Sequence, residues 1–255
     1  MIDSQAIIDS RANIAEGVEI GPWTTVGPDV CIDAGTVIGS HVVLKGPTTI
    51  GKNNRIFQFA SVGEDCQDKK YQGEPTRLEV GDHNTIREGC TIHRGTIQDQ
   101  GVTRIGNHNL LMAYVHVAHD CCIGDNNILA NNATLAGHVQ VGSDVIMGGF
   151  SGVHQFCQIG SYSMAGMGSM IVKDVPAYVM VSGDKAKPQG LNVEGMRRRG
   201  YSKETIALLR NAYKTVFRQG LPIKKALSML DAMPRSPELS LFIETLKAST
   251  RGIVR

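Results

Sequence analysis

Three histidines lie close together in the middle of the chain, at His116, His119 and His138. Imidazole is the side chain best suited to exchange protons near neutral pH, and it is also the commonest metal ligand in proteins. Gly137 and Gln155 follow His119 at intervals of eighteen residues. If the chain repeats every eighteen residues, this spacing predicts a column in which an imidazole stands beside a backbone without a side chain.

Two kinds of chemistry suit this cluster. Neutral imidazoles from neighbouring repeats could complete a zinc tetrahedron. Alternatively, His119 could act as a general base that takes a hydroxyl proton, while the N–H of Gly137 donates to a developing oxyanion in an acyl transfer. No serine or cysteine is placed as an obvious nucleophile, so direct attack by a substrate hydroxyl suits the second interpretation. The spacing alone does not decide between them, and a structural solenoid without chemistry is the third alternative.

The element that must position these residues is a repeat of period six. An aliphatic or small apolar residue occupies every sixth position, which fits neither an amphipathic helix nor a long alternating strand. The period predicts a prism with three flat sides of six residues each, whose sixth-position side chains fill the bore. Glycine follows several of these positions, which predicts tight corners. The longest unbroken column is Ile105, Leu111, Val117, Ile123, Leu129, Leu135, Val141, Met147, Val153, Ile159, Ala165 and Ile171.

The same column begins at Ile2, runs to Val62 and resumes from Val80 to Ile92. Its two interruptions predict excursion loops near residues 64–79 and 94–104, and such loops on a rigid scaffold often carry function. Beyond the column the spacing becomes helical, with caps predicted at Ser202 and Ser236 and a helix between them that opens at Pro222. We therefore predict a mainly β protein, with a parallel β-helix of hexapeptide repeats over residues 1–186 and a basic helical domain over residues 187–255.

Charge is divided unevenly between these two parts. Residues 1–186 contain 12 lysines and arginines against 19 acidic residues, whereas residues 187–255 contain 14 against 5. This asymmetry predicts that the C-terminal part meets an acidic partner. Nucleic acid is a poor candidate, because the basic residues are dispersed and no recognition motif is present. The absence of a leader, of a membrane span and of cysteine metal motifs predicts a cytoplasmic protein.

Several motifs together carry a family resemblance over essentially the whole chain. They are IHRGT at 92–96, HVAHDCCIGDNNILANNATLAGHVQVG at 116–142, VHQF at 153–156 and NVEGMRRRG at 192–200. With the hexapeptide pattern, they closely resemble the UDP-N-acetylglucosamine O-acyltransferase family, which starts lipid A synthesis. Hexapeptide acetyltransferases that use coenzyme A and γ-class carbonic anhydrases share the prism but lack this combination.

The resemblance implies a left-handed β-helix that assembles as a homotrimer, with active sites in the clefts between neighbouring prisms. It also implies transfer of a 3-hydroxyacyl group from acyl carrier protein to the 3-hydroxyl of the glucosamine unit of UDP-N-acetylglucosamine. No cofactor or metal is implied, because the phosphopantetheine arm arrives on the carrier protein.

Residue roles carry over from the same motifs. His119 resembles the general base, Asp120 the residue that orients it, and Gly137 the oxyanion donor. His116 and His138 would line the site, and the other implied substrate contacts belong to the first loop, the VHQF motif and the C-terminal part. Those contacts are Gln67, Asp68, Lys70, His154, Gln155, Asn192, Glu194, Arg198 and Arg199.

Two further predictions concern specificity. Met167 occupies a position where a long-chain member of the family has glycine, so it would close the acyl groove. Its separation from His119 is about 2.7 coils, or roughly 13 Å along the axis, which matches an acyl chain of about ten carbons. The alternative is that Met167 is core packing. Arg210, Lys214 and Arg218, spaced at helical turns, are the predicted docking residues for acyl carrier protein.

Overall fold

The computed structural model describes residues 1–255, which form 27 short β-strands followed by four α-helices. The strands are β1 (Ile7–Ile8), β2 (Asn13–Ile14), β3 (Glu19–Ile20), β4 (Thr25–Val26), β5 (Val30–Ile32), β6 (Val37–Ile38), β7 (Val43–Leu44), β8 (Thr48–Ile50), β9 (Arg55–Ile56), β10 (Ser61–Glu64), β11 (Arg77–Val80), β12 (Thr85–Ile86), β13 (Thr91–His93), β14 (Val102–Ile105), β15 (Leu110–Leu111), β16 (His116–Val117), β17 (Cys122–Ile123), β18 (Ile128–Leu129), β19 (Thr134–Leu135), β20 (Gln140–Val141), β21 (Ile146–Met147), β22 (Gly152–Val153), β23 (Gln158–Ile159), β24 (Met164–Ala165), β25 (Met170–Ile171), β26 (Val179–Ser182) and β27 (Lys187–Leu191). The helices are α1 (Val193–Arg198), α2 (Lys203–Phe217), α3 (Ile223–Asp231) and α4 (Pro237–Ala248).

Each coil of the chain gives one strand to each of three sheets. The first sheet runs from β1 through every third strand to β25, the second from β2 to β23, and the third from β3 to β24 and then β26 and β27. Neighbouring strands are parallel and eighteen residues apart in the regular coils, as where His116 faces Thr134 and Thr134 faces Gly152. The predicted left-handed parallel β-helix with a C-terminal helical region is confirmed.

The bore of the prism is filled by the predicted apolar column. Every member from Ile105 to Ile171 is at most 4% exposed. Burial is incomplete at the N-terminal end, where Ile2 is 46% exposed, and Ile8 and Ile14 pack against the core but are only half-buried. The reason is that the first coil has no coil beneath it, so its inward residues still face solvent.

The corners of the prism do not depend on glycine as the sequence suggested. Non-glycine residues take the left-handed backbone conformation there, including Asp120, His138 and Phe156, with φ of 57°, 63° and 64°. The glycines that directly follow a column residue are required for another reason, which is the close contact between neighbouring coils. A Cβ on Gly21 would lie 2.8 Å from the backbone nitrogen of Ser40 in the next coil, so these glycines permit the coils to approach.

Both excursion loops leave the prism at the same corner, between the first and second sheets. The first loop, residues 65–76, joins β10 to β11, and the second loop, residues 94–101, joins β13 to β14. His119 lies at this corner as well, between β16 and β17. The fold therefore gathers two loops and the central histidines along one edge.

The C-terminal part begins with a strand that the sequence did not predict. β27 pairs antiparallel with β26, and a short helix, α1, follows it. The next three helices begin at the predicted caps, since the side chains of Ser202 and Ser236 accept from Thr205 N and Leu239 N, and Pro222 precedes α3. None of the helices is both long and apolar enough to cross a membrane.

Candidate active site

His119 is held by a carboxylate that is itself fixed in place. Its Nδ1 lies 2.9 Å from Oδ2 of Asp120, whose side chain is almost completely buried. The same carboxylate accepts hydrogen bonds from the backbone N and Oγ1 of Thr96, at 3.0 and 2.7 Å. Burial raises the pKa of Asp120, but the hydrogen bonds from His119 and Thr96 outweigh it and leave the pKa below its usual value. An ionised Asp120 favours the proton on Nδ1 of His119, so Nε2 is free to accept a proton.

Gly137 lies directly against the His119 ring. A Cβ at this position would be 2.5 Å from both Cε1 and Nε2 of His119, which is a severe clash. The N–H of Gly137 donates no hydrogen bond within the chain. Glycine is therefore required by the close approach of the imidazole, on the side of its Cε1 and Nε2 atoms.

His138 forms the opposite wall of this small group. Its ring stacks on Phe156, with centroids 4.3 Å apart, and meets His119 edge to face at 4.9 Å. Its Nδ1 lies 2.9 Å from Oδ2 of Asp99 in the second loop and 4.0 Å from Oδ2 of Asp120. Sequence reasoning missed Asp99, because a residue in an excursion loop is outside the six-residue period.

Two further histidines continue the group along the first sheet. His116 Nδ1 lies 2.7 Å from Oγ1 of Thr91, and its ring packs edge to face against His93. His93 was not singled out, although it belongs to the IHRGT motif. Burial lowers the pKa of His93 to about 4, and burial together with the nearby His119 lowers that of His116. Both rings are therefore neutral near pH 7.

The first loop reaches the same edge and is anchored by a buried arginine. The guanidinium of Arg94 donates to the carbonyl of Gly63, to Asp65 and to the hydroxyl of Tyr71. Gln67 contacts His93, with 3.5 Å between their Nε2 atoms. The other two predicted contacts of this loop are next to Gln67: the N–H of Asp68 donates to Sγ of Cys66, and Oδ1 of Asp68 accepts from the N–H of Lys70.

The remaining predicted contacts divide into two groups. His154 and Gln155 are exposed and lie at the same corner as His119, one coil beyond Gly137. The residues of α1 lie at a different corner, between the second and third sheets. There Arg199 Nε pairs with Asp144 at 3.0 Å, and Glu194 pairs with Arg198.

Asn192 has a structural position in the single chain. It is 4% exposed, its Oδ1 accepts from the N–H of Gly195, and its Nδ2 donates to the carbonyl of Tyr162. It therefore caps α1 and attaches that helix to the prism. One chain does not bring Asn192 and its neighbours to His119, so their contact with a substrate stays a prediction.

Met167 lies at the third corner, between β24 and β25, and its side chain is 77% exposed. The core-packing alternative for this residue is therefore wrong. Met167 and His119 occupy different edges of one prism, so a groove that joins them needs a second chain. A cleft of about 530 Å³ in the single chain lies lower on the first sheet and contains Asp65 and Arg94 but none of the histidines.

The geometry also bears on the metal alternative. Ligand atoms of His119, Asp120 and His138 all lie within 4.8 Å of one another, a set that a divalent metal could use. Asp120 and His138 are eighteen residues apart and therefore stack in neighbouring coils, and His119 directly precedes Asp120. Against metal binding, the Nδ1 atoms of both rings already face carboxylates, and the Asp120 carboxylate also accepts two hydrogen bonds from Thr96.

Comparison with known proteins agrees with this architecture. A family model described as UDP-N-acetylglucosamine O-acyltransferase, domain 2, matches residues 174–254, and one described as bacterial transferase hexapeptide matches residues 11–46 and 103–137. Relatives from Stutzerimonas stutzeri and Ectopseudomonas mendocina are 57% and 60% identical, each over 100% of this chain and 99% of its own length. Both carry the name acyl-(acyl-carrier-protein)-UDP-N-acetylglucosamine O-acyltransferase.

A solved structure of the LpxA protein from Acinetobacter baumannii superposes with a TM-score of 0.98 at 58% identity, covering 100% of this chain and 99% of the other. The match therefore extends over the prism, both excursion loops and the helical tail. The chain is a member of the UDP-N-acetylglucosamine O-acyltransferase family.

Proposed function

We propose that this protein transfers a 3-hydroxyacyl group from acyl carrier protein to the glucosamine 3-hydroxyl of UDP-N-acetylglucosamine, the first step of lipid A synthesis. The observation that carries the proposal is the arrangement at one corner of the prism. His119 is bonded to the buried Asp120 and lies against Gly137, whose N–H is unpaired. No cofactor is needed, because the phosphopantetheine thioester arrives on the carrier protein. A cytoplasmic location remains part of this proposal.

The reaction follows from these three residues. Nε2 of His119 takes the proton of the sugar hydroxyl while its oxygen attacks the thioester carbonyl carbon. The carbonyl oxygen becomes an oxyanion that accepts a hydrogen bond from the N–H of Gly137. When the tetrahedral intermediate collapses, the C–S bond breaks, and the departing sulfur receives the proton from His119. Asp120 stabilises the imidazolium between these two steps.

We propose a homotrimer with sites between neighbouring chains. The predicted nucleotide contacts on α1 lie at a different corner from His119, so a second chain must supply them. Apolar side chains on the outer face of the third sheet are only half-buried and offer a surface for assembly. They are Leu110, Ile128, Ile146 and Met164.

We further propose that Met167 limits the acyl chain to about ten carbons, in a groove formed by two chains. Replacing Met167 with glycine should lengthen the preferred acyl chain by several carbons, because an exposed side chain that closes the groove is removed. The measurement is the relative rate with 3-hydroxyacyl carrier proteins of increasing length. Met170→Ala is the control, since Met170 is also exposed and lies nearby. An unchanged chain-length preference in Met167→Gly would contradict this role of Met167, but it would not contradict the proposed acyltransferase activity.

The proposed activity is tested by mixing purified protein with UDP-N-acetylglucosamine and 3-hydroxyacyl carrier protein, and identifying the product by mass spectrometry. We expect an O-acylated sugar nucleotide, with the acyl group on the 3-hydroxyl, and free carrier protein thiol in equal amount. Absence of product with every acyl chain would overturn the proposal.

A metal-dependent enzyme is the second candidate, favoured by the compact set His119, Asp120 and His138. Elemental analysis of the purified protein and assays after treatment with a chelator separate the two candidates. A direct acyl transfer predicts full activity in metal-free protein. Stoichiometric zinc, with activity lost on its removal and restored on its return, would support the metal candidate.

A further inference from the structure

The second excursion loop touches both imidazole–carboxylate pairs of the site. At the start of the loop, Thr96 donates two hydrogen bonds to Asp120, the partner of His119. Three residues later, Asp99 accepts from Nδ1 of His138 at 2.9 Å. The loop also closes on itself, since the N–H of Asp99 donates to the carbonyl of Thr96. One short segment thus connects the supports of both rings.

His138 is held on nearly every side. Its side chain is only 12% exposed, with Phe156 stacked on one face and the His119 ring against it edge to face. The groups that face it are Asp99 and Asp120, on its Nδ1 side, and His119. A carboxylate at Nδ1 keeps the ring proton there, which leaves Nε2 with a lone pair.

We propose that Asp99 is a positioning residue of the transfer reaction. By accepting the Nδ1 proton, it fixes the tautomer and orientation of His138, so that this ring offers Nε2 as an acceptor for a sugar hydroxyl beside His119. The substrate class is a hydroxyl-rich acceptor, and the inference rests on the proposed function. Asp99 and Asp120 therefore do parallel work, one for each imidazole.

The alternative is that Asp99 only ties the loop to the prism. Asp99→Asn separates these roles, because it keeps an oxygen acceptor of the same shape and loses the charge. Gln100→Ala is the matched control, since Gln100 belongs to the same loop and accepts a hydrogen bond from Arg104, away from the histidines. Asp99→Glu keeps the carboxylate and should therefore retain part of the activity and part of the Nδ1–H tautomer at His138.

The experiment joins steady-state kinetics with NMR spectra of the ¹⁵N-histidine-labelled protein, in which His138 is assigned from its absence in His138→Gln. In the wild type we expect the Nδ1–H tautomer at His138. In Asp99→Asn we expect partial loss of that tautomer and a fall in kcat of about 10-fold, the effect expected when a charge-assisted hydrogen bond becomes a neutral one. KM for the acyl donor should change little, and Gln100→Ala should resemble the wild type.

Two results would overturn the inference: an unchanged tautomer in Asp99→Asn, or an equal fall in kcat in Gln100→Ala. Failure of the proposed function is distinguishable from both. A wild type that makes no product removes the reaction, while the NMR spectra still report whether Asp99 sets the tautomer of His138.

Discussion

At the scale of single residues, the proposed chemistry depends on a glycine. The His119 ring packs directly against the backbone of Gly137. A Cβ at this position would lie 2.5 Å from Cε1 and Nε2 of the ring. The same absence of a side chain exposes the N–H that the proposed mechanism uses. A side chain here would disturb the base and the oxyanion donor together.

The first prediction follows from this contact. Gly137→Ala should lower kcat by about 100-fold or more, as expected when an oxyanion donor and its neighbouring base are displaced. Its φ is not in the left-handed region, so the fold should be retained. Gly149→Ala is the matched control, because its Cβ would meet only the carbonyl of Asn131 at 3.3 Å. Steady-state kinetics and circular dichroism of both variants provide the measurement, and equal activities would refute the role of Gly137.

The second prediction concerns the buried His93, whose pKa burial lowers to about 4. An unfolded histidine has a pKa of about 6.5, so below that pH the unfolded chain binds a proton that the folded chain does not. Stability should therefore fall as the pH drops from 6.5 towards 4, with His93 contributing about 2 to 3 kcal/mol between pH 7 and pH 4.5. Over the same pH range, the free energy of unfolding of His93→Gln should fall by about 2 to 3 kcal/mol less than that of the wild type. The same pH dependence in both proteins would contradict this account.

Much of the residue-scale site could be predicted from period alone. An eighteen-residue coil places Gly137 beside His119, and the structure has this neighbour relation. The period also places Phe156, eighteen residues beyond His138, next to that ring. Asp99 could not be obtained in this way, because it belongs to a loop outside the period.

At the scale of elements, two excursion loops border the histidine corner. The first loop depends on Arg94, whose side chain is only 7% exposed and donates to Gly63, Asp65 and Tyr71. This arginine follows His93 at the end of β13, so the loop is fastened to the same strand that supports the histidines. Loop position and site geometry are thus coupled through one strand.

The third prediction tests that coupling. Arg94→Met keeps most of the side-chain volume but removes the hydrogen bonds that hold the first loop. We expect KM for UDP-N-acetylglucosamine to rise about tenfold, equivalent to one charge-assisted hydrogen bond, and trypsin to cut faster after Lys69 and Lys70. Arg104→Met is the control, since Arg104 pairs with Glu79 on the outer face of the second sheet. Unchanged proteolysis and unchanged KM in Arg94→Met would contradict the anchoring role.

Elements were predictable where one local signal decides them. The apolar column fixed the strands, and the caps at Ser202 and Ser236 marked the starts of α2 and α4. β27 and α1 were not found, because a strand with Pro188 and Gly190 and a helix of 6 residues have weak local signals. Pairing with β26 and capping by Asn192 stabilise them instead, and both are tertiary effects.

At the scale of the whole molecule, the prism has a net negative charge and the helical tail a net positive charge. Arg210 and Lys214 are exposed on α2, and Arg218 is exposed at its C-terminal cap, while the opposite face of the helix packs with Ile206, Leu209 and other apolar residues. The three cations therefore form an exposed, basic surface along this helix. Under the proposed function, the acidic partner that this surface attracts is acyl carrier protein.

The fourth prediction is that reversing these three residues to glutamate weakens docking of the carrier protein. KM for the acyl donor should rise about tenfold at low salt, with less effect at high salt, because exposed charges are screened. KM for the nucleotide sugar should stay nearly constant. Reversal of Lys224, Lys225 and Arg235, which are exposed elsewhere in the tail, is a control with the same change in net charge. Equal effects of the two triple variants would leave only a general charge effect.

The central claim is that His119 is the base of the acyl transfer, and its most direct test is the single-turnover rate of His119→Ala beside the wild type and His41→Ala. His41 is an exposed corner histidine remote from the site. We predict a loss of about 100-fold or more in His119→Ala, the usual contribution of a general base, with unchanged thermal stability and carrier protein binding. His41→Ala should match the wild type. A His119→Ala rate within a few fold of the wild type would contradict the account.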